Sequence, residues 1–154
     1  MLALTLWQPW AWAILHLPEG VAKPVENRDW MPPRGVIGTR IALHGGKRYD
    51  AAARHSIAGA NMDAYILLPS DARRFYGGIL GTVRLVGVVE ERRGYIELVA
   101  GGWGEVTRER CAPWFVGRYG WLFDQRRVLD TPIPCRGLQK LWTVPDDVAA
   151  RVEG

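Results

Sequence analysis

The chain of 154 residues has few of the residues that cross-link small proteins or bind metals. Its two cysteines, Cys111 and Cys135, are too few for a disulfide scaffold or a four-thiolate zinc site. We therefore expect free thiols, no metal and no cofactor. No apolar run approaches the ~18 residues that span a bilayer, and no basic segment precedes the apolar start of the chain. These absences predict a cytoplasmic protein with neither a membrane segment nor a signal peptide.

Lysine is also scarce, although the chain is basic. Lysine and arginine together number 20, of which only Lys23, Lys47 and Lys140 are lysines, and the net charge is +4. Because arginine contacts phosphate through two N–H groups and stacks on bases, this excess fits an anionic partner. A high-GC genome would produce the same excess. The chain is rich in tryptophan, with eight, and its 48% of hydrophobic residues excludes general disorder.

Apolar patterns and helix breakers predict several short strands with a few helices. The expected strands cover 2–6, 36–44, 78–90, 119–123 and 139–144, an extended segment covers 23–30, and helices begin near Pro9, Asp50 and Pro145. Segment 91–113 carries glycines and charges and is expected to be a loop or insertion, with a short helix near 105–110. Since there is no β-α-β rhythm, we predict one α+β domain over 1–154, a small mixed β-barrel with flanking helices.

Several motifs together resemble one known family. They are Gln8-Pro9-Trp10-Ala11, Lys23-Pro24-Val25-Glu26-Asn27-Arg28-Asp29-Trp30, Arg34-Gly35, a strand ending at His44, Gly77-Gly78-Ile79-Leu80-Gly81, Tyr119-Gly120-Trp121, and Pro132-Ile133-Pro134-Cys135-Arg136-Gly137 before Leu141-Trp142. From Leu4 to about Pro145 the chain resembles the ASCH family, whose members include a domain of transcription coactivators and bacterial single-domain proteins. The resemblance implies a PUA-like β-barrel with a cleft between barrel and helices. It also implies that Gln8, Trp10, Lys23, Glu26, Arg28 and His44 lie near that cleft.

The spacing of three charged residues supports a shared site. In an extended segment alternate side chains share a face, so Glu26 and Arg28 are expected to lie together. Lys23 joins them only if Pro24 or a bulge breaks the alternation. Glu26 and Arg28 could equally form a structural ion pair, and His44 could equally be a histidine of the core.

Aromatic and basic residues around this segment suit a nucleic acid. Trp10 and Trp30 have polar neighbours and could stack bases, at ~1–3 kcal/mol per base, whereas Trp7 and Trp142 are interpreted as packing residues. Free backbone N–H groups at the helix start near Pro9 suit a phosphate. The full candidate set for nucleic-acid binding is Gln8, Trp10, Lys23, Glu26, Arg28, Trp30, Arg34, His44 and Lys47.

These residues predict a nucleic-acid-binding module for RNA or single-stranded nucleic acid, with a cleft for a base or nucleotide. A hydrolase is the alternative, because one branch of the superfamily that the chain resembles hydrolyses the amide of N4-acetylcytidine with a lysine that activates a threonine. Lys23 matches that lysine, but Glu26 stands at the nucleophile position, where a carboxylate would form an anhydride. Glu26 could instead act as a general base beside Lys23, on a modified nucleoside or as a ribonuclease. A third alternative is a protein-interaction module that uses the tryptophan-rich surface.

Overall fold

One mixed sheet organises the chain in the computed structural model, which describes residues 1–71 and 73–154. The strands in these residues are β1 (Leu2–Gln8), β2 (Val25–Arg28), β3 (Arg40–Tyr49), β4 (Gly78–Arg92), β5 (Tyr95–Gly101), β6 (Tyr119–Pro134) and β7 (Leu141–Thr143). Their order in the sheet is β2-β6-β4-β3-β1-β7, and β5 pairs with β4. The β1–β3 pair is parallel and the other pairs are antiparallel.

Short helices fill the connections between the strands. They are α1 (Trp10–Leu15), α2 (Ala53–Ala60), α3 (Met62–Ile66), α4 (Arg108–Cys111) and α5 (Asp146–Glu153), with 3-10 turns at Arg34–Val36 and Arg73–Phe75. Helix α1 is buried from Ala11 to Leu15. In the part of the chain that the structure describes, no helix has the length and apolar character to cross a membrane.

Two long strands, β4 and β6, curl the sheet into a half-barrel. One edge of β4 pairs first with β3 and then with β5, while the other edge pairs with β6 along most of its length. The core inside the curl is apolar and includes the fully buried Trp121, Leu4, Ile14 and Leu80. The predicted α+β class is thereby confirmed, with a curled mixed sheet at its centre.

Strand β3 does not end before Gly45-Gly46, as the sequence predicted, but continues to Tyr49. A side chain at Gly45 would collide with the carbonyl oxygen of Phe75 and the amide of Gln8. Glycine is therefore required at this position by close packing and not by a turn. The extension of β3 carries residues 47–49 alongside the end of β1.

Segment 91–113 also differs from its expected loop. It contains β5, which forms a hairpin with β4, and the short helix α4. Ile96 and Leu98 are half-buried whereas Tyr95 and Glu97 are exposed, so β5 has a strand alternation that the neighbouring glycines and charges obscured. The predicted helix at Asp50 begins instead at Ala53, and the Asp50 carboxylate accepts a hydrogen bond from the Ala52 N–H.

Candidate functional site

Glu26 lies between two cations in the wall of a cleft beside α1. Its Oε2 is 3.3 Å from Lys23 Nζ and its Oε1 is 3.7 Å from Arg28 Nε. Glu26 and Arg28 share a face of β2, as the alternation predicted, and Lys23 reaches them because it precedes the first residue of that strand. Lys23 is only 3% exposed, so the pair is an interior feature of the cleft.

Trp10 covers this pair from α1. The Lys23 ammonium lies 4.5 Å from the centroid of the indole ring, within the range of a cation–π contact. The Trp10 indole N–H donates a hydrogen bond to Asp50 Oδ2 over 2.9 Å. Because the ring is held at both its face and its N–H, its orientation is set before any ligand arrives.

A cavity of about 300 Å³, here named the Lys23 cavity, opens beside this tryptophan. Its lining includes Trp10, Lys23, Glu26, Asp50 and Trp114. Two carboxylates against one ammonium make it a poor site for phosphate. Carboxylate oxygens accept hydrogen bonds and the ammonium donates them, so the cavity suits the polar edge of a base.

A second cavity of about 440 Å³, the Arg28 cavity, adjoins the first across Trp10 and Glu26. Arg28 and Lys140 are its cations. Arg28 Nη2 donates a hydrogen bond to the Thr5 carbonyl over 3.1 Å, which fixes the guanidinium against β1. Two cations facing one already paired carboxylate, that of Glu26, make this cavity suitable for an anion.

The third cavity, the Lys47 cavity, is the largest, at about 730 Å³, and the most basic. Lys47, Arg48 and Arg136 line it, and its described lining includes no carboxylate. Among the described residues, these three cations have no ion-pair partner. The cavity therefore carries uncompensated positive charge next to the Arg28 cavity.

His44 forms part of the wall of the Lys47 cavity. It is 3% exposed, and its Nε2 lies 2.9 Å from the carbonyl oxygen of Cys135. A carbonyl only accepts, so Nε2 carries the hydrogen. Burial lowers the pKa of His44, although the bond to Cys135 raises it, and the imidazole is therefore neutral near pH 7. His44 thus secures the Cys135 backbone and adds no charge to the cavity.

Trp7 separates the Arg28 and Lys47 cavities and lines both of them. Its interpretation as a packing residue was wrong, because its side chain is 50% exposed. The pattern of β1 contained the signal: Leu4, Leu6 and Gln8 are buried, so the alternate position between Leu6 and Gln8 faces outward. Trp142, by contrast, is buried as predicted, and its N–H donates to Thr5 Oγ1.

Gln8 lies in the interior and not at the cleft surface. It is fully buried, its Nε2 donates to the Phe75 carbonyl, and its Oε1 accepts from the Trp12 N–H. The Trp12 N–H in the first turn of α1 is thus bonded within the protein and is not free for a phosphate, contrary to the sequence expectation. Gln8 connects β1, α1 and the Arg73–Phe75 turn.

Trp30 and Arg34 are not among the residues that line the three cavities, although the Lys140 ammonium of the Arg28 cavity lies 5.9 Å from the centroid of the Trp30 ring. The Trp30 ring packs edge-on against Trp121, with ring centroids 4.7 Å apart, and is half-buried. Arg34 is exposed in its 3-10 turn.

Of the predicted set, the structure brings together Trp10, Lys23, Glu26 and Arg28, and places His44 and Lys47 in the adjoining cavity. The additional cleft residues that sequence reasoning missed are Trp7, Arg48, Asp50, Arg136 and Lys140.

Metal and thiol chemistry have little support in the described residues. No group of three or more His, Cys, Asp or Glu side chains in residues 1–71 and 73–154 could hold a metal ion. Both cysteines are free thiols, as expected, and burial raises the pKa of Cys111 to about 11. No protein-family model matches this chain, and no curated protein matches it significantly.

Proposed function

We propose that this chain is a nucleic-acid-binding module of the ASCH type, with a PUA-like barrel, that binds RNA or single-stranded nucleic acid. The observation that carries the proposal is the continuity of the Arg28 and Lys47 cavities along β1, where Thr5 and Trp7 line both. The cations of the two cavities are Arg28, Lys140, Lys47, Arg48 and Arg136. Such a basic groove follows a phosphate backbone well.

The electrostatic part of the proposal comes from the unpaired cations. Lys47, Arg48 and Arg136 are exposed and carry no intramolecular ion pair among the described residues. In solution they attract diffuse anions, and a phosphate backbone brings its own condensed cations. Release of these ions on binding makes the affinity fall as salt rises.

The Lys23 cavity supports a role in holding a base. Trp10 offers an aromatic face, and the Glu26 and Asp50 carboxylates accept hydrogen bonds of the kind that base amino groups donate. Lys23 donates in return to a base carbonyl or ring nitrogen. The division into a polar pocket and a basic groove matches a ligand with a polar base and an anionic backbone.

Fluorescence anisotropy with fluorescein-labelled ten-nucleotide RNA and DNA strands tests the proposal. We expect binding at ~50 mM salt that weakens steeply by ~200 mM, with a slope of about −0.7 per phosphate contacted. Lys140→Glu should weaken binding. The matched charge reversal Arg92→Glu, on the β4–β5 hairpin and outside the lining of the three cavities, should not do so beyond the general effect of net charge. Undetectable binding of the wild type at ~50 mM salt, or affinity independent of salt, would overturn the proposal.

A hydrolase acting on a modified nucleoside is a second candidate, favoured by the buried Lys23–Glu26 pair at a cavity wall. Glu26 would accept a proton from the attacking water while Lys23 polarises the amide carbonyl. Both oxygens of Glu26 already face cations, which makes a binding role the better fit. Incubation with N4-acetylcytidine decides between them. Formation of cytidine and acetate by the wild type, but not by Lys23→Ala or Glu26→Gln, would establish the hydrolase.

A further inference from the structure

We propose that Trp7 is the base-stacking platform of this protein and that a single strand crosses it, with backbone phosphates in the Lys47 cavity. The inference rests on the proposed function and assigns the ligand a path. It depends on Trp7, Arg48 and Arg136, which are not in the candidate set for nucleic-acid binding predicted from the sequence.

The exposure of Trp7 is the first observation. A side chain of this size that is 50% exposed on a strand leaves much apolar surface in water. Its fixed place in β1 makes it a rigid surface, because the Leu6 and Gln8 side chains on either side of it are buried. An unpaired base has an aromatic face of similar size, and stacking on an indole tolerates any base.

A bulge in the sheet is the second observation. Leu6 pairs with Gly45 and Gln8 pairs with Tyr49, so the single residue Trp7 lies opposite the three residues 46–48 of β3. The extra residues put Arg48 beside the indole, with its guanidinium carbon 5.5 Å from the ring centroid, and Lys47 lines the same cavity. Bulges commonly redirect side chains at functional sites. Here the bulge places one cation next to an exposed aromatic ring and a second in the adjoining cavity wall.

The connection between β6 and β7, residues 135–140, is the third observation. Its first half, 135–137, lines the Lys47 cavity, and its second half, 138–140, lines the Arg28 cavity. It runs opposite β1, so the two cavities are parts of one groove with Trp7 between them. Arg136 and Lys140 therefore supply a cation on each side of Trp7.

His44 holds the first half of that connection in place. Its Nε2–H donates to the Cys135 carbonyl, and Gly137 lies so close that an added Cβ would be 2.6 Å from His44 Nδ1. Only glycine fits against the ring at this position. His44 is thus a positioning residue for Arg136 and makes no direct contact with the ligand in this scheme.

The order of groups along the groove indicates the ligand class. Arg28 lies on one side of Trp7, and Arg48, Lys47 and Arg136 lie on the other. The cavities of about 440 and 730 Å³ fall within the ~300–1,000 Å³ of small-ligand sites. A strand of two or three nucleotides would occupy both, with its bases unpaired so that one can stack on Trp7. Duplexes keep their base faces covered and are poor ligands for such a platform.

Affinity measurements on the full chain test this path. With a fluorescein-labelled ten-nucleotide strand, Trp7→Ala should weaken binding by about 5- to 150-fold, the effect of losing one stacked base. Trp7→Phe should retain most of the affinity. Tyr95→Ala is the control, because Tyr95 is 73% exposed on the β4–β5 hairpin and lines none of the three cavities. Circular dichroism checks that each variant is folded.

Salt dependence distinguishes stacking from charge. Trp7→Ala should lower the affinity without changing the salt slope, whereas Lys47→Ala and Arg136→Ala should each reduce the slope by about 0.7. Competition with unlabelled mono-, di- and trinucleotides should show affinity rising up to two or three nucleotides. An annealed duplex should compete poorly.

The outcomes separate this inference from the proposed function. If Trp7→Ala binds single strands as tightly as the wild type does, the path across Trp7 is wrong and the binding function stands. The same conclusion follows if the wild type binds the duplex as tightly as a single strand. If Lys47→Ala and Arg136→Ala leave the slope unchanged, the phosphates do not lie in the Lys47 cavity. If the wild type binds no nucleic acid, the proposed function fails and this inference fails with it.

Discussion

At the residue scale, the buried His44 and the half-buried His16 are kept neutral by their surroundings. Burial lowers the pKa of His44, and burial followed by the charges of Arg74 and Arg126 lowers the pKa of His16. Each ring has one nitrogen, His44 Nδ1 and His16 Nε2, without a hydrogen-bond partner among the described residues. Protonation would place a charge where water cannot solvate it. The neutral form of both rings is therefore part of the folded state.

Acidification should destabilise the protein through these histidines. The pKa of each is lower in the folded chain than in the unfolded chain, where it is about 6.5, so the unfolded chain binds more protons. The stability that the neutral histidines contribute is therefore fully present above the unfolded-state pKa of about 6.5 and decreases as the pH falls below it. Thermal unfolding between pH 7.5 and 5.5 should show a falling Tm. His44→Gln should reduce this dependence, and His55→Gln, exposed on α2, should keep it. An equal pH dependence in His44→Gln would contradict the assignment.

At the element scale, one ion pair joins the two long strands to the loop after β5. Arg84 of β4 lies opposite Asp124 of β6 and donates to both carboxylate oxygens, over 2.8 and 2.7 Å. The Glu105 backbone N–H donates to the same carboxylate over 3.0 Å. Burial raises the pKa of Asp124, but these hydrogen bonds and the Arg84 charge outweigh it and lower the pKa. Asp124 therefore stabilises the curl of the sheet as an ionised group.

Asp124→Asn should lower the free energy of unfolding by about 1–3 kcal/mol at pH 7, measured by urea denaturation. A value near the lower end is expected, because the Arg84 side chain is 34% exposed. Asp124 has a lowered pKa in the folded chain, so its contribution should be lost as the pH falls through that pKa, and the variants should converge in acid. Glu97→Gln, in an exposed pair with Arg92, is the control and should change stability by less than about 0.5 kcal/mol.

At the scale of the whole molecule, the groove is assembled from parts of the chain that are far apart in sequence. Strand β1 lies between β3 and β7, so Trp7 has Arg48 on one side and the 135–140 connection on the other. Arg28 reaches the same groove from β2, at the opposite end of the strand order, because the sheet is curled. The curl and not the local sequence concentrates the cations on this face.

Arg34 and Arg136 provide a test at this scale. Arg34 belongs to an Arg-Gly motif that predicted a phosphate contact, but it lies in an exposed turn and lines none of the three cavities, whereas Arg136 lines the Lys47 cavity. We expect Arg34→Ala to bind a single strand within about twofold of the wild type, while Arg136→Ala binds more weakly and with a smaller salt slope. Anisotropy titrations at several salt concentrations make the comparison. Equal losses in both variants would mean that the ligand extends beyond the groove.

Local patterns in the sequence were enough to predict much of the fold. Proline and glycine breakers and apolar runs indicated β1, α1, β4 and α5, because those signals act over a few neighbouring residues. The Glu26–Arg28 pair followed from strand alternation for the same reason. Strand alternation applied to β1 would also have predicted that the Trp7 side chain faces outward. The packing interpretation rested instead on the general tendency of tryptophan to pack in a core more often than it binds a ligand.

The sequence by itself determined the class of the fold and the shared strand face of Glu26 and Arg28. Only the tertiary structure decided that Lys23 joins them, that Gln8 is interior, that Arg34 lines none of the cavities, and that residues 7, 48 and 136 share one groove. The physical reason is that strand alternation and helix signals depend on adjacent residues. The position of a cation relative to an aromatic ring depends instead on how distant strands pair and on where the sheet bulges.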